Sequence, residues 1–139
     1  MLRIAEVKPG EVVYDLGCGN GRILITAAQK FGAKAVGIEL NESLVNETLQ
    51  KVKELHLDNM VKVIRGNFQD QDISPADVVT LYLTTSANTA VKPNLEKKLR
   101  KGTRVVSHDF EIIGWKAVKV EEVAENDGYT HTIYYYRTP

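Results

Sequence analysis

Apolar positions along this chain fall into two alternating arrangements, compact runs and helically spaced faces. EVVYDLG (11–17) is a compact run with β-branched residues, opened by Pro9-Gly10 and closed by glycine, and predicts a buried strand. GRILITAAQKF (21–31) places apolar residues at 23, 24, 27, 28 and 31, the i, i+3, i+4 spacing of one helix face. Gly32 follows where a C-terminal helix glycine belongs. AKAVGIEL (33–40) reads as a second strand and NESLVNETLQKVKEL (41–55) as a helix capped by Asn41. VKVIRGN (61–67) and DVVTLYL (77–83) predict strands three and four, with a short helical turn in NFQDQDISPA between them. SANTAVKPNLEKKLR (86–100) predicts a helix broken near Pro93, and TRVVSHDF (103–110) a fifth strand. KAVKVEEVAE and THTIYYYRT flank Asn126-Asp127-Gly128, a hairpin signal.

Strand and helix in regular alternation imply an α/β chain with a parallel sheet covered on both faces, and the closing hairpin adds an antiparallel pair. No repeat, linker or low-complexity tract divides the sequence, so 1–139 is read as a single domain. Ligands of such sheets bind at the carboxyl ends of the strands, where strand order reverses. That rule gathers Gly17–Arg22, Glu39–Leu40, Asn67–Phe68 and Leu83–Thr85 along one rim.

The rim has a glycine loop of unusual spacing. Gly17-x-Gly19-x-Gly21 is tighter than the G-x-G-x-x-G of dinucleotide folds, and no Lys-Ser/Thr pair follows it as in a phosphate-binding P-loop. Asp15 precedes the first glycine, and a carboxylate there repels a pyrophosphate but suits a cation. A phosphate-free, positively charged nucleoside such as S-adenosylmethionine fits both features. Glu39, at the end of the second strand, is the acid that would grip two ribose hydroxyls. Asn67 offers an amide to an adenine edge, and Phe68 could pack on the ring or belong to the core.

Composition removes other classes. Eighteen basic residues balance eighteen acidic ones, so no broad electrostatic footprint for nucleic acid exists. The one cysteine, Cys18, forms no internal disulfide, and no Cys/His spacing predicts a metal site. No apolar run approaches the roughly 20 residues that cross a bilayer. The MLRIAEVKPGE start does not resemble a secretory signal, so the expected setting is cytoplasmic.

EVVYDLGCGNGR, VGIELN and RGNF resemble the successive motifs of class I S-adenosylmethionine-dependent methyltransferases. VVTLYLTTSANTAVKPNLEKKLRKGTRVVSHDFEIIGW is similar to the fourth-to-fifth strand region of the archaeal broad-specificity protein lysine methyltransferases, relatives of the mitochondrial enzymes acting on the ATP synthase c subunit. The resemblance implies a Rossmann-like, mostly parallel seven-stranded sheet of order 3-2-1-4-5-7-6. It implies S-adenosyl-L-methionine as cofactor, S-adenosyl-L-homocysteine as product, and proteins with accessible lysines as partners; of oligomeric states, which the sequence does not define, a monomer is favoured. Carried onto this chain, Asp15, Gly17 and Gly19 would flank the methionine part, Glu39 would bind the ribose, and Asn67 and Phe68 would hold the adenine, with Cys18, Gly21, Arg22, Leu40 and Leu81 also counted in the cofactor site. Leu81–Thr84 and Asn88 would line the boundary with the acceptor. Family members usually begin with a further segment bearing a V-P-T-P-like motif, and Met1-Leu2 aligns with the end of its helix.

Methyl transfer is an in-line attack on an activated methyl group, so positioning and desolvation dominate and no metal is needed. A lysine acceptor must also lose a proton from a group whose ordinary pKa is about 10.4. Candidates to position it are Tyr82, Thr84 and His108, with Thr85, Asp109 and Glu111 nearby. His108 either relays a proton or caps a strand end, and strict alternation would send Asp109 to the opposite face from it. Trp115 either lines an acceptor groove or covers the core, and Tyr134-Tyr135-Tyr136 reads as sheet packing with Tyr135 opposite its neighbours. The LYLTTS end of strand four lacks the Asp/Asn-Pro-Pro-Tyr/Phe motif of amino-methylating nucleic-acid enzymes. Other readings are a small-molecule or RNA acceptor, or a non-catalytic cofactor-binding domain.

Overall fold

A computed structural model describes residues 1–124 and 127–139. Its strands are β1 (Val12–Leu16), β2 (Lys34–Glu39), β3 (Val61–Arg65), β4 (Val78–Leu81), β5 (Arg104–His108), β6 (Lys119–Ala124) and β7 (Thr130–Arg137). They form one seven-stranded sheet in the order β3-β2-β1-β4-β5-β7-β6, parallel except that β7 runs antiparallel to both β5 and β6. The helices are α1 (Arg22–Phe31), α2 (Glu42–Glu54) and α3 (Thr85–Lys98), with a 3₁₀ turn at Phe68–Asp70. Ala124 pairs with Thr130 across the closing hairpin, while Asn126 of the turn signal lies outside the described residues.

Two apolar clusters sandwich the sheet. On one face Leu24, Ala27 and Ala28 of α1 and Val52 of α2 pack over Val13, Ala35, Val78, Val106 and Ile133, together with Leu2, Ile4 and Val7. On the other, Val91 and Leu95 of α3 cover Tyr14, Leu16, Ile38, Val79, Leu81, Val105 and Tyr136. Strand alternation sorts the side chains, and it sends Tyr135 to the α1 face and Tyr134 and Tyr136 to the other. Trp115 packs edge-on against Tyr136, their centroids 5.9 Å apart, so it belongs to the core cover on the α3 face.

One sequence expectation needs correction: α3 is not broken near Pro93. The helix runs through the proline from a Thr84 cap, whose hydroxyl accepts the Ala87 N–H. Proline removes one backbone hydrogen bond there. Val91 and Leu95, both fully buried on either side of it, hold the helix against the sheet regardless.

Candidate active site

The glycine loop leaves β1 with Gly17 N–H and Cys18 N–H both bonded to Ile38 O. Two of its glycines differ in what surrounds them. A Cβ on Gly21 would meet Thr48 Cγ2 at 2.3 Å, so Gly21 lets the loop close on α2. At Gly19 (φ 56°) nothing lies within 4 Å of the same position, and Gly19 lines a cavity of about 550 Å³. The Thr48 hydroxyl donates to Gly19 O at 3.2 Å and to Leu44 O at 2.9 Å, tying loop to helix.

Asp15, Gly17, Cys18, Gly19 and Arg22 line this cavity. Asp15 is almost fully buried on the α1 face, beside its β4 partner Thr80, whose hydroxyl donates to Oδ1 at 2.8 Å. Burial pushes the Asp15 carboxyl up to about 7; the Thr80 bond opposes this and the Glu39 charge adds to it. The Cys18 thiol, buried against Gly37, is pushed up to about 12, chiefly by desolvation and then by the Asp15 and Glu39 charges, which makes it inert packing.

Glu39 accepts the Gly19 N–H at 2.8 Å through Oε1 and the Asn41 N–H at 3.0 Å through Oε2. Leu40 is exposed beside it. Asn67 caps the 3₁₀ turn by accepting the Gln69 N–H at 2.9 Å, and Phe68 is half-buried against the α3-face cluster. Gly21, Glu39, Leu40, Asn67 and Phe68 stand outside the cavity lining, Leu81 is fully buried in the core, and Thr84 is exposed as the α3 cap. Asn88 is buried beneath α3, donating to Ser107 Oγ and Phe110 O, both at 3.0 Å.

Tyr82 and His108 line the far side of the same cavity, their rings stacked with centroids 3.8 Å apart. His108 lies under Tyr82 and beside His131, at 4.7 Å between centroids. Asp109 departs from alternation. Its backbone is left-handed (φ 62°), and Phe110 N–H donates to His108 O at 2.8 Å around it. The carboxylate therefore turns back to His108 instead of away, reaching 3.7 Å from Nδ1, and meets His131 Nδ1 at 3.1 Å. Asp127 holds His131 Nε2 at 2.8 Å. These bonds to Asp127 first, then to Asp109, raise the His131 pKa despite desolvation. Burial would raise the Asp109 carboxyl, but the Thr132 N–H and the two histidines outweigh it and hold the pKa low.

His131 and Asp127 escaped the sequence reading. Their signal was parity: His131, Ile133 and Tyr135 share one face of β7, and β7 lies against β5 with Ile133 opposite His108. Met1, Leu2 and Arg3 complete the cavity wall at the chain start.

A family model described as the ANTKMT methyltransferase domain matches residues 15–119. The chain is also 48% identical over 137 residues to a protein-lysine N-methyltransferase of Saccharolobus islandicus, covering 98% of this chain and 84% of that protein. It belongs to the ANTKMT methyltransferase family. A solved structure described as an RNA methyltransferase from Salinibacter ruber, in complex with S-adenosyl-L-homocysteine, superposes with a TM-score of 0.91. That chain is 40% identical, with 99% of this chain and 87% of that one covered. A ribosomal protein L11 methyltransferase of Desulforamulus reducens is 27% identical over 88% of this chain, which spans only 39% of that protein.

This family member is an S-adenosylmethionine-dependent methyltransferase, with the sheet order expected of it. The site residues fit the cofactor: the space beside Gly19 is open, and Asp15, a buried acid lining the same cavity, suits a cation. No helix among the described residues is long and apolar enough to cross a membrane.

Proposed function

We propose that the chain methylates lysine side chains of proteins. One observation carries this reading. A single cavity is walled on one side by the glycine loop with Asp15, and on the other by the Tyr82–His108 stack with Asp127 and His131. The first wall suits a cationic, phosphate-free cofactor and the second a cationic acceptor. Asp15 would meet the methionine end, and Glu39 would take the ribose hydroxyls while keeping its bonds to the loop. Asn67 and Phe68 would border the adenine. Bound S-adenosylmethionine supplies a methyl group already activated on a sulfonium, so the residues of this chain need to orient and desolvate the lysine amine.

Tyr82, more than half exposed above a buried histidine, presents an aromatic face that attracts an ammonium and an apolar surface that favours its neutral form. His108 supports that ring from below, and Thr84 sits at the acceptor side as the α3 cap. Asp109 and Asp127 have pKa values held low, Asp127 first by the Tyr129 N–H and then by His131, and these ionised carboxylates favour a lysine over a polyanion. The Saccharolobus relative named for protein-lysine methylation supports the same acceptor. The enzyme so read is a cytoplasmic monomer whose partners are proteins with accessible lysines.

An RNA acceptor is the second reading, favoured by the description of the Salinibacter structure. One experiment tests both: labelled S-adenosylmethionine, the chain and a cell lysate, followed by mass spectrometry of labelled proteins and scintillation counting of purified RNA. Label on lysine supports the proposal. Label confined to RNA overturns it, and label in neither fraction overturns the enzyme reading of both.

A further inference from the structure

The cluster on the hairpin side of the cavity has a chemistry that methyl transfer does not require. Three donor atoms, one each from His108, Asp109 and His131, lie within 4.8 Å of one another. Asp109 Oδ2 stands 3.1 Å from His131 Nδ1 and 3.7 Å from His108 Nδ1. Metal–nitrogen and metal–oxygen bonds of about 2.1 Å in a tetrahedron put neighbouring donors ~3.4 Å apart. These two edges bracket that value, and the third lies within 4.8 Å. We propose that His108, Asp109 and His131 form a binding site for a divalent transition-metal cation of the zinc or nickel type.

Three further features are those of a built site. Both histidines have side chains more than four-fifths buried, so two of the donors are already desolvated. Asp109 is held in a left-handed conformation unusual for a residue with a side chain, and its other oxygen accepts the Thr132 N–H at 2.9 Å, which fixes the direction of Oδ2. Asp127 bonds the remaining nitrogen of His131 at 2.8 Å, the outer carboxylate–histidine pairing that orients an imidazole ligand and raises its basicity. Two imidazoles and one carboxylate favour zinc, nickel or cobalt over the hard cations magnesium and calcium. His108 and His131 line the cavity, so the open coordination positions face it. An ion held there competes with the acceptor for the same space.

Cobalt(II) titration of the full chain tests the site, because tetrahedral cobalt absorbs visible light far more strongly than the hydrated ion. The expected result is an intense band saturating at one equivalent, displaced by zinc and not by magnesium. Asp109→Asn and His131→Gln should each abolish the band, and Asp127→Asn should weaken affinity about tenfold or more. His56→Gln, which alters the exposed third histidine, should leave the titration unchanged. Thermal melts and S-adenosylhomocysteine binding report whether each variant is folded. Absence of the band in the wild-type chain overturns the proposal, as does a band that survives in folded Asp109→Asn. Binding and its loss in the variants stand apart from methyl transfer, so a failed lysine assay leaves this test intact.

Discussion

Glu39, the last residue of β2, accepts the main-chain N–H of Gly19 at 2.8 Å across twenty residues of sequence. The acid read from sequence as a ribose ligand is therefore also a structural member of the glycine loop. Its two oxygens take two amide donors, Gly19 and Asn41. Glu39→Gln keeps one acceptor and turns an NH₂ toward the other donor. Hydrogen bonds to a charged group contribute about 1.5–3 kcal/mol each, so we expect cofactor affinity to fall at least tenfold in Glu39→Gln and further in Glu39→Ala. Calorimetric titration with S-adenosylhomocysteine measures this, and unchanged affinity in both variants removes Glu39 from the cofactor site.

The two glycines that differ in surroundings should fail differently. Gly19→Ala places a methyl group into open cavity at positive φ, costing roughly 1 kcal/mol of stability while obstructing the cofactor. Gly21→Ala drives the same group into Thr48, and the melting temperature should fall further than in Gly19→Ala. Paired melts and binding isotherms separate the effects. Equal loss of stability in both variants contradicts the distinction.

Asp15 gives a pH dependence with a definite sign. Its folded-state pKa of about 7 lies above the ordinary carboxylate value of 3.8, so the unfolded chain releases the proton first as pH rises. The ligand-free fold therefore loses stability between roughly pH 4 and 7 and nothing more from this group above that range. Asp15→Asn should flatten this fall in a series of denaturant titrations. It should also weaken the cofactor, because a cationic ligand prefers the ionised acid. For the wild type, cofactor affinity should rise up to about tenfold per pH unit below pH 7 and level off above it. A pH-independent affinity would mean that no positive charge of the ligand meets Asp15.

Tyr82 sits on His108 with its outer face free for an acceptor. Tyr82→Ala should lower kcat/KM for a lysine-bearing protein at least tenfold, about 1.4 kcal/mol, while cofactor affinity stays within twofold. Tyr82→Phe keeps the ring and should recover most of the loss. Equal effects on cofactor and acceptor would place Tyr82 in the general architecture of the cavity.

The succession of strands and helices and the glycine loop were legible because both rest on local patterns, whereas the strand order is long-range and followed from the family resemblance. Apolar periodicity marks each element, and three glycines in five positions mark the turn between β1 and α1. Asp109 departs from the expected face because alternation holds only while the chain stays extended. A single left-handed residue after β5 reversed its side chain. Pro93 misled for the opposite reason, since a local penalty was outweighed by burial of Val91 and Leu95. The His131 contribution needed a long-range fact, the antiparallel register between β5 and β7. That register is settled only when the hairpin folds back beside a parallel strand.

The start of the chain carries a practical consequence. Arg104 at the head of β5 donates to Ala5 O at 2.7 Å and to Glu6 O at 3.2 Å, and also pairs with Glu11, while Arg3 bonds Glu121 at 2.8 Å. These ties hold Met1–Arg3 in the cavity wall. β7 instead carries the chain to Pro139 beside the start of β5, at the end of the sheet away from the glycine loop. A purification tag or fused domain ahead of Met1 therefore begins beside the cavity, whereas one after Pro139 begins at the opposite end of the sheet.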